Sequence, residues 1–246
     1  MLNPGLDLDD LAAQFAKDGR IRVRDVLDRD VAEAVAAEMT GLPMQLFCAT
    51  GGGVAVIDPQ ELVSWDRARQ VELQRALAQA ASRAEGFAYM GYRMTEAWRA
   101  GAPDTALGRF HSQLRSERML DAVRRITGAS TFDNVFAQAT DYRPGHYLTR
   151  HLDDPKGELR KFAFVWGFTR TWDPDWGGLL QFYNDDAEPT YAYSPGFNTL
   201  DLFDVRHVHA VTLVAPFALH PRLAVSGWFV KGDPLNPMGY THTGRV

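Results

Sequence analysis

Tyr142-Arg-Pro-Gly-His-Tyr-Leu-Thr-Arg-His151-Leu-Asp153-Asp154 is the stretch from which the chain is most readily understood. A Pro-Gly pair breaks the backbone, a short extended run follows, and the run closes in His-x-Asp. Residues two apart on a β-strand project from the same face, so His151 and Asp153 can offer an imidazole nitrogen and a carboxylate oxygen to one point. That is two-thirds of the facial two-histidine, one-carboxylate set that holds non-haem Fe(II) with open positions. A surface strand can carry the same pair by chance, so the surrounding sequence has to decide.

Outward from this stretch the texture is that of a sheet. From about Thr131, β-branched and aromatic runs alternate with Pro, Gly, Asn and Asp turns. The runs are Phe132–Tyr142, His146–Thr149, Lys161–Thr169, Gly178–Tyr183, Thr190–Tyr193, Thr199–Phe203, Ala210–Val214 and Arg222–Val230. About eight strands at roughly ten-residue spacing indicate a sandwich or jelly roll.

The first half reads as helices with interspersed strands. Leu8, Leu11 and Phe15 repeat at helical spacing, with Gly19 as the stop. Ile21–Val26 alternates like a short strand, and Asp30–Leu42 is alanine-rich and helical. Gln45–Ala49 and Val54–Ile57 are extended runs joined by Gly51-Gly52-Gly53, a hairpin turn rather than a phosphate loop, since no Lys-Ser/Thr and no helix follow it. Arg67–Glu85 predicts a helix with Val71, Leu73, Leu77 and Ala81 as its buried stripe. Phe87–Met94 is strand-like. Ser116 can cap a further helix that ends at Gly128. The fold class expected from the pattern is α+β, a sandwich or jelly roll with helices of the N-terminal half packed against the sheet; the family resemblance carried by the motifs below narrows this to a double-stranded β-helix (jelly roll). The whole chain, 1–246, is expected to be one domain: mainly helical support with short strands over 1–130, the jelly-roll core over 131–232 and a C-terminal tail over 233–246.

The sheet must supply a third metal donor. His207 and His209 lie in His207-Val-His-Ala-Val-Thr-Leu-Val214, and strand parity does not separate them. In the next strand Arg222, Ala224, Ser226 and Trp228 share a face by the same alternation. An inward guanidinium and hydroxyl are what the distal end of a dicarboxylate would need, whereas an arginine snorkelling from a strand start is the bland alternative.

Four groups of residues in order now carry a resemblance. They are Gln138, Tyr142, Pro144-Gly145, Tyr147 and His151-x-Asp153; then Trp176-Gly-Gly178; then His209-x-Val211; then Arg222-Leu-x-Val-Ser226-Gly-Trp228-Phe. From about Thr131 to Val230 the chain resembles the prolyl 4-hydroxylase group of the Fe(II)/2-oxoglutarate-dependent oxygenases. The nearest likeness is to the branch that hydroxylates a proline of a ribosomal protein and holds 2-oxoglutarate with arginine. The resemblance implies that His151, Asp153 and His209 ligate iron and that His207 does not. It implies that Arg222 pairs with the distal carboxylate of 2-oxoglutarate, that Tyr142 hydrogen-bonds the same cosubstrate and that Ser226 assists. Asp154 is expected to point away from the metal. Fe(II), 2-oxoglutarate, O2 and ascorbate as reductant are the implied small molecules, and a prolyl residue in a protein or peptide is the implied substrate, ahead of free proline or another small molecule. The Pro216–Pro221 insertion and the Trp172–Trp176 loop depart from the pattern, and the N-terminal half carries no transferable motif.

Composition bounds the alternatives. The chain has 246 residues, 46% hydrophobic and 23% charged, with a net charge of −5, which argues against nucleic acid or an anionic membrane as main partner. One cysteine, Cys48, excludes an intrachain disulfide framework, and the N-terminus lacks the basic and apolar regions of a signal peptide. No apolar run is long enough to span a bilayer, so a cytoplasmic protein is expected. Two readings compete with the oxygenase. A cupin-type isomerase or hydrolase would use histidines on a barrel but needs no dicarboxylate clamp. A non-catalytic jelly-roll binding module would leave an inward carboxylate unused, at a desolvation cost of at least ~1–3 kcal/mol.

Overall fold

The architecture was read from a computed structural model in which residues 2–101, 103–153 and 159–232 are described. The expectations for Asp154 and for the tail 233–246 lie outside those residues. In chain order the elements are α1 (Leu8–Asp18), β1 (Arg20–Arg24), α2 (Arg29–Met39), β2 (Gln45–Thr50), β3 (Gly53–Ile57), α3 (Pro59–Ser64), α4 (Arg67–Ala81), β4 (Phe87–Tyr92), α5 (Met94–Gly101), α6 (Ala106–Leu114) and α7 (Glu117–Thr127). The second half continues with β5 (Asn134–Tyr142), β6 (Tyr147–His151), β7 (Arg160–Phe168), β8 (Leu180–Tyr183), β9 (Pro189–Tyr193), β10 (Phe197–Asp204), β11 (His209–Val211) and β12 (Arg222–Val230).

The helix ends follow local chemistry. The Asp7 carboxylate accepts from the backbone N–H groups of Asp9 and Asp10, and Gly19 closes α1 in the left-handed conformation. Ser116 caps α7 through the N–H of Met119, and Gly128 ends it in the same way. The glycine triplet is a hairpin: β2 and β3 pair antiparallel from Leu46↔Ile57 to Thr50↔Gly53.

All strands join one antiparallel sheet, ordered β1-β10-β7-β12-β5-β4-β6-β11-β8-β9, with β2 and β3 attached beside β4. Strand β4 makes the sheet curl. Its Met90–Tyr92 end pairs with β5, while Phe87 and Ala88 pair with β6. Two leaves therefore face each other across β4, which is the jelly roll expected. Strands of the first half are structural members of it, since β1 pairs with β10 and β4 with both β5 and β6.

Side-chain alternation sorts the two faces of the larger leaf. Val225 and Phe229 of β12, with Phe162, Phe164 and Trp166 of β7, face the helices and meet Phe15, Val35, Phe110, Leu120 and Val123. Trp228, Phe136 and Ala163 face inward and meet Leu180, Phe182 and Phe203. At the other end of the interior Phe47, Phe87, Tyr89, Tyr142, Val211 and Val214 form a second inner cluster. Between these two apolar plugs lie the polar inner residues.

Two expectations fail. The stripe assigned to α4 is only partly buried: Leu73 and Leu77 are half-buried against the core, but Val71 is 42% exposed and the helix's one fully buried residue is Ala80. Helix α4 lies over a cleft of about 1050 Å³ lined by Leu73, Leu77, Tyr147 and Ala210, so its apolar side faces open space as much as protein. Second, Asp153 is not on the strand of His151. Strand β6 ends at His151, and Asp153 follows in a bend, held by its N–H to the carbonyl of Val205 at 3.2 Å.

Candidate metal centre and anion clamp

His151 and His209 are direct cross-strand partners on β6 and β11, with ring centroids 4.2 Å apart. A register irregularity between His209 and Val211 shifts the pairing, so that Val211 opposes Leu148 and both turn into the inner apolar cluster beside the histidines. The bend after β6 then carries Asp153 to the same point. Its carboxylate oxygens lie 3.6 Å from Nε2 of His151 and 3.3 Å from Nε2 of His209. One ligand atom from each of the three residues lies within 4.8 Å of the others, the one such group among the described residues.

Tautomers follow from the backbone. Nδ1 of His151 is 2.9 Å from the carbonyl of Thr149, and Nδ1 of His209 is 2.9 Å from the carbonyl of His207. A carbonyl only accepts, so both Nδ1 atoms carry the proton and both Nε2 lone pairs point at the shared space. Burial opposes ionisation of Asp153, but His209, His151 and Arg160 outweigh it and hold its pKa below the ordinary carboxylate value. Two imidazoles that present Nε2 and one carboxylate, without a thiolate, form a donor set that fits a divalent transition metal with open positions.

His207 is not part of this group. Strand β11 begins at His209, and His207 sits in the preceding turn with Nε2 beside Gly19 at the end of α1. Parity could not separate the two histidines because only one of them is on the strand.

Arg222 opens β12 opposite Tyr142 of β5, and its guanidinium lies 5.0 Å from the Tyr142 ring centroid. Arg222 is 5% exposed, and its Nε is buried with no hydrogen-bond partner. Burial lowers its pKa, against the pull of Tyr142 and Asp201. A buried guanidinium with an unsatisfied donor fits an incoming carboxylate, the chemistry proposed for 2-oxoglutarate. Tyr142 stacks on Tyr89 at 5.1 Å, and the Tyr89 hydroxyl accepts a 3.2 Å hydrogen bond from Gln138. Ser226 is half-buried and opposite Gln138.

The Trp172–Trp176 loop has a structural place. Trp172 donates its indole N–H to the carbonyl of Gly177, and Gly178, at φ +62°, brings the loop against Val214 and the stem of Arg222. A Cβ at Gly178 would stand 3.0 Å from Trp172 and 3.4 Å from Cδ of Arg222. Trp166, by contrast, is fully buried on the helix side, edge-to-face with Phe110, so it belongs to the core rather than to the pocket wall. One pair went unnoticed in the sequence: Arg22 of β1 grips Asp201 of β10 with bonds of 2.6 and 2.7 Å on the same inner face as Arg222.

Comparison with known proteins places the fold around this centre in a class. Residues 137–230 match the 2OG-Fe(II) oxygenase superfamily, and that segment includes His151, Asp153, His209 and Arg222. The core of this chain is a 2OG-Fe(II) oxygenase fold. Solved structures agree. A Pseudomonas putida prolyl-4-hydroxylase superposes with a TM-score of 0.61 at 18% identity, covering 92% of this chain and 100% of that one. A prolyl hydroxylase from Trichoplax adhaerens, in complex with a hypoxia inducible factor oxygen degradation domain peptide fragment, gives 0.59 at 16% identity, covering 91% and 89%. The non-heme alpha ketoglutarate dependent epimerase SnoN from nogalamycin biosynthesis gives 0.59 at 13% identity, covering 97% and 91%. No curated protein sequence is a significant match.

Proposed function

We propose that the chain is an Fe(II)- and 2-oxoglutarate-dependent dioxygenase that hydroxylates a prolyl residue in a protein or peptide. The observation that carries the reading is the pairing of two features in the interior between the leaves: the His151/Asp153/His209 donor group carried by β6, β11 and the bend after β6, and on β12 of the larger leaf the buried Arg222 guanidinium with its unsatisfied Nε. A cupin-type hydrolase would account for the first and leave the second without a use. A binding module would account for neither.

In this reading His151, Asp153 and His209 hold the metal through Nε2, a carboxylate oxygen and Nε2. Arg222 takes the distal carboxylate of the cosubstrate, Tyr142 adds a hydrogen bond, and Ser226 borders the same surface. When bound, iron with 2-oxoglutarate and O2 supplies the oxidation: the cosubstrate loses CO2 and becomes succinate as one oxygen atom enters a substrate C–H bond. The chain's own work is to fix three donors on one side of the metal, orient the dicarboxylate and keep water out between two apolar plugs. The fold serves more than one reaction, as an epimerase among the similar structures illustrates, so the substrate assignment rests on other grounds. They are the prolyl 4-hydroxylase motifs in the sequence and the peptide held by the Trichoplax relative.

The test is succinate release with Fe(II), 2-oxoglutarate, ascorbate and O2. A slow basal rate and acceleration by proline-containing peptides are expected. Acceleration by free L-proline alone would overturn the peptide assignment, and no succinate with iron bound would overturn the oxygenase reading. Arg222→Ala is expected to raise KM for 2-oxoglutarate while leaving metal affinity intact, because truncating one partner of a buried charge pair costs about 2–5 kcal/mol.

A further inference from the structure

Three charges share the inner face at one end of the larger leaf, and only two of them are paired. Arg22 donates from Nε and Nη2 to both carboxylate oxygens of Asp201, and from Nη1 to the carbonyl of Ser194 at 2.6 Å. The ring of Tyr193 lies 4.4 Å from the Arg22 guanidinium carbon and covers it. Asp201 is 2% exposed. Arg222 lines the same small cavity as Arg22, Asp201 and Thr199, across the side-chain-poor positions Gly167 and Ala224. Two unsatisfied buried atoms, Nε of Arg222 and Oγ1 of Thr199, belong to residues of that cavity. Asp201 and Arg222 therefore interact electrostatically, yet the carboxylate's oxygens are both committed to Arg22.

We infer that Arg22 is a positioning residue for the cosubstrate clamp: by occupying Asp201 it keeps Arg222 free to bind a carboxylate. This rests on the assignment of Arg222 to 2-oxoglutarate. The charge count explains the arrangement. Arg22 and Asp201 cancel, leaving one net positive charge, which a single distal carboxylate neutralises. Without Arg22 the buried Asp201 carboxylate is stranded, and of the two other arginines that act on it Arg222 is the buried one, in the same cavity, while Arg24 is exposed. An internal Arg222–Asp201 pair would then compete with the incoming dicarboxylate. The N-terminal strand β1 thereby contributes to the site without touching substrate or metal.

The test is calorimetric binding of 2-oxoglutarate to the full-length Mn(II)-loaded protein, with Mn(II) affinity and thermal melting measured alongside. Arg22→Met is expected to weaken 2-oxoglutarate binding by about 10–100-fold, since an internal anion now competes for the clamp, with Mn(II) affinity unchanged. Asp201→Asn removes the competitor and is expected to bind at least as tightly as wild type. The double variant Arg22→Met/Asp201→Asn is expected to recover most of the loss. A merely structural ion pair would behave otherwise, with both single variants weakened alike and no recovery in the double variant, and that pattern overturns the inference. A folded Arg22→Met protein with undiminished affinity overturns it too. Wild-type protein that binds Mn(II) but no 2-oxoglutarate overturns the assignment of Arg222 first, and the role of Arg22 with it.

Discussion

The chemistry of the proposed centre depends on which nitrogen of each histidine is free, and the backbone decides that. His151 and His209 each spend Nδ1 on a carbonyl two residues earlier in the chain, which turns both Nε2 atoms to one side. His207 spends its carbonyl on His209 and points its ring toward Gly19. His209→Ala is therefore expected to weaken Fe(II) or Mn(II) binding by about 10-fold or more, and His207→Ala to leave it within about threefold. Metal titration of the two variants checks this, and the opposite order would move the third donor to His207. At this scale much was legible. His-x-Asp, the later histidine pair and an arginine opening the last strand are visible as residues. The choice between His207 and His209 rested on the resemblance alone, because alternation presumes that both lie on a strand and β11 starts only at His209. Asp153 meets the histidines through a bend after β6 and not through strand parity, which the His-x-Asp spacing does not reveal. Arg22 was invisible because nothing in Ile21–Val26 reveals that its partner lies in β10, far along the chain.

Strands were easier to read than helices, for a physical reason. The strands of the second half are bounded by turn residues and filled with aromatic and β-branched side chains, and β12 spans Arg222–Val230, as read. Helices α5 and α6 were missed because they are short, with Gly101, Pro103 and Gly108 breaking the helical pattern. Helix α6 needs the glycine at 108, because a Cβ there would stand 1.9 Å from the carbonyl oxygen of Pro103. The central strand carries a comparable constraint at Gly227, where a Cβ would meet the carbonyl oxygen of Phe136 at 1.9 Å and the ring of Phe164 at 2.7 Å. Strand β12 is held between β5 and β7, so neither neighbour can yield without disturbing its own ladder. Gly227→Ala is expected to cost about 1–3 kcal/mol, seen as a lower urea midpoint. An unchanged midpoint would mean that the strands separate more easily than their packing suggests.

The whole molecule is a curled sheet with a helical layer on one face, and its long-range pairing is what sequence could not supply. That β4 would bridge both leaves depends on contacts between distant segments, which local pattern does not encode. The same layering sets a pH limit on stability. His111 of α6 is 1% exposed beneath the helical layer, with Nε2 2.9 Å from the hydroxyl of Thr95 and Nδ1 unpartnered. Burial chiefly, with Arg115 and Arg99 adding, lowers its pKa from 6.5 to about 4. A histidine whose folded pKa is depressed is neutral in the fold while the unfolded chain takes up a proton, so stability falls as pH drops from 6.5 toward 4 and levels off below. The loss assigned to this group by about pH 4.5 is on the order of 2–3 kcal/mol. Urea unfolding of wild type and His111→Gln at about pH 7 and pH 4.5 isolates it. The glutamine can still bond Thr95 but cannot take up the proton. The variant is expected to be less stable near neutrality, where its packing is poorer, and to lose less on acidification than wild type. Parallel losses in the two proteins would show that His111 already finds a proton-accepting partner in the fold, and would shift the acid sensitivity to His146, whose pKa is also lowered chiefly by burial.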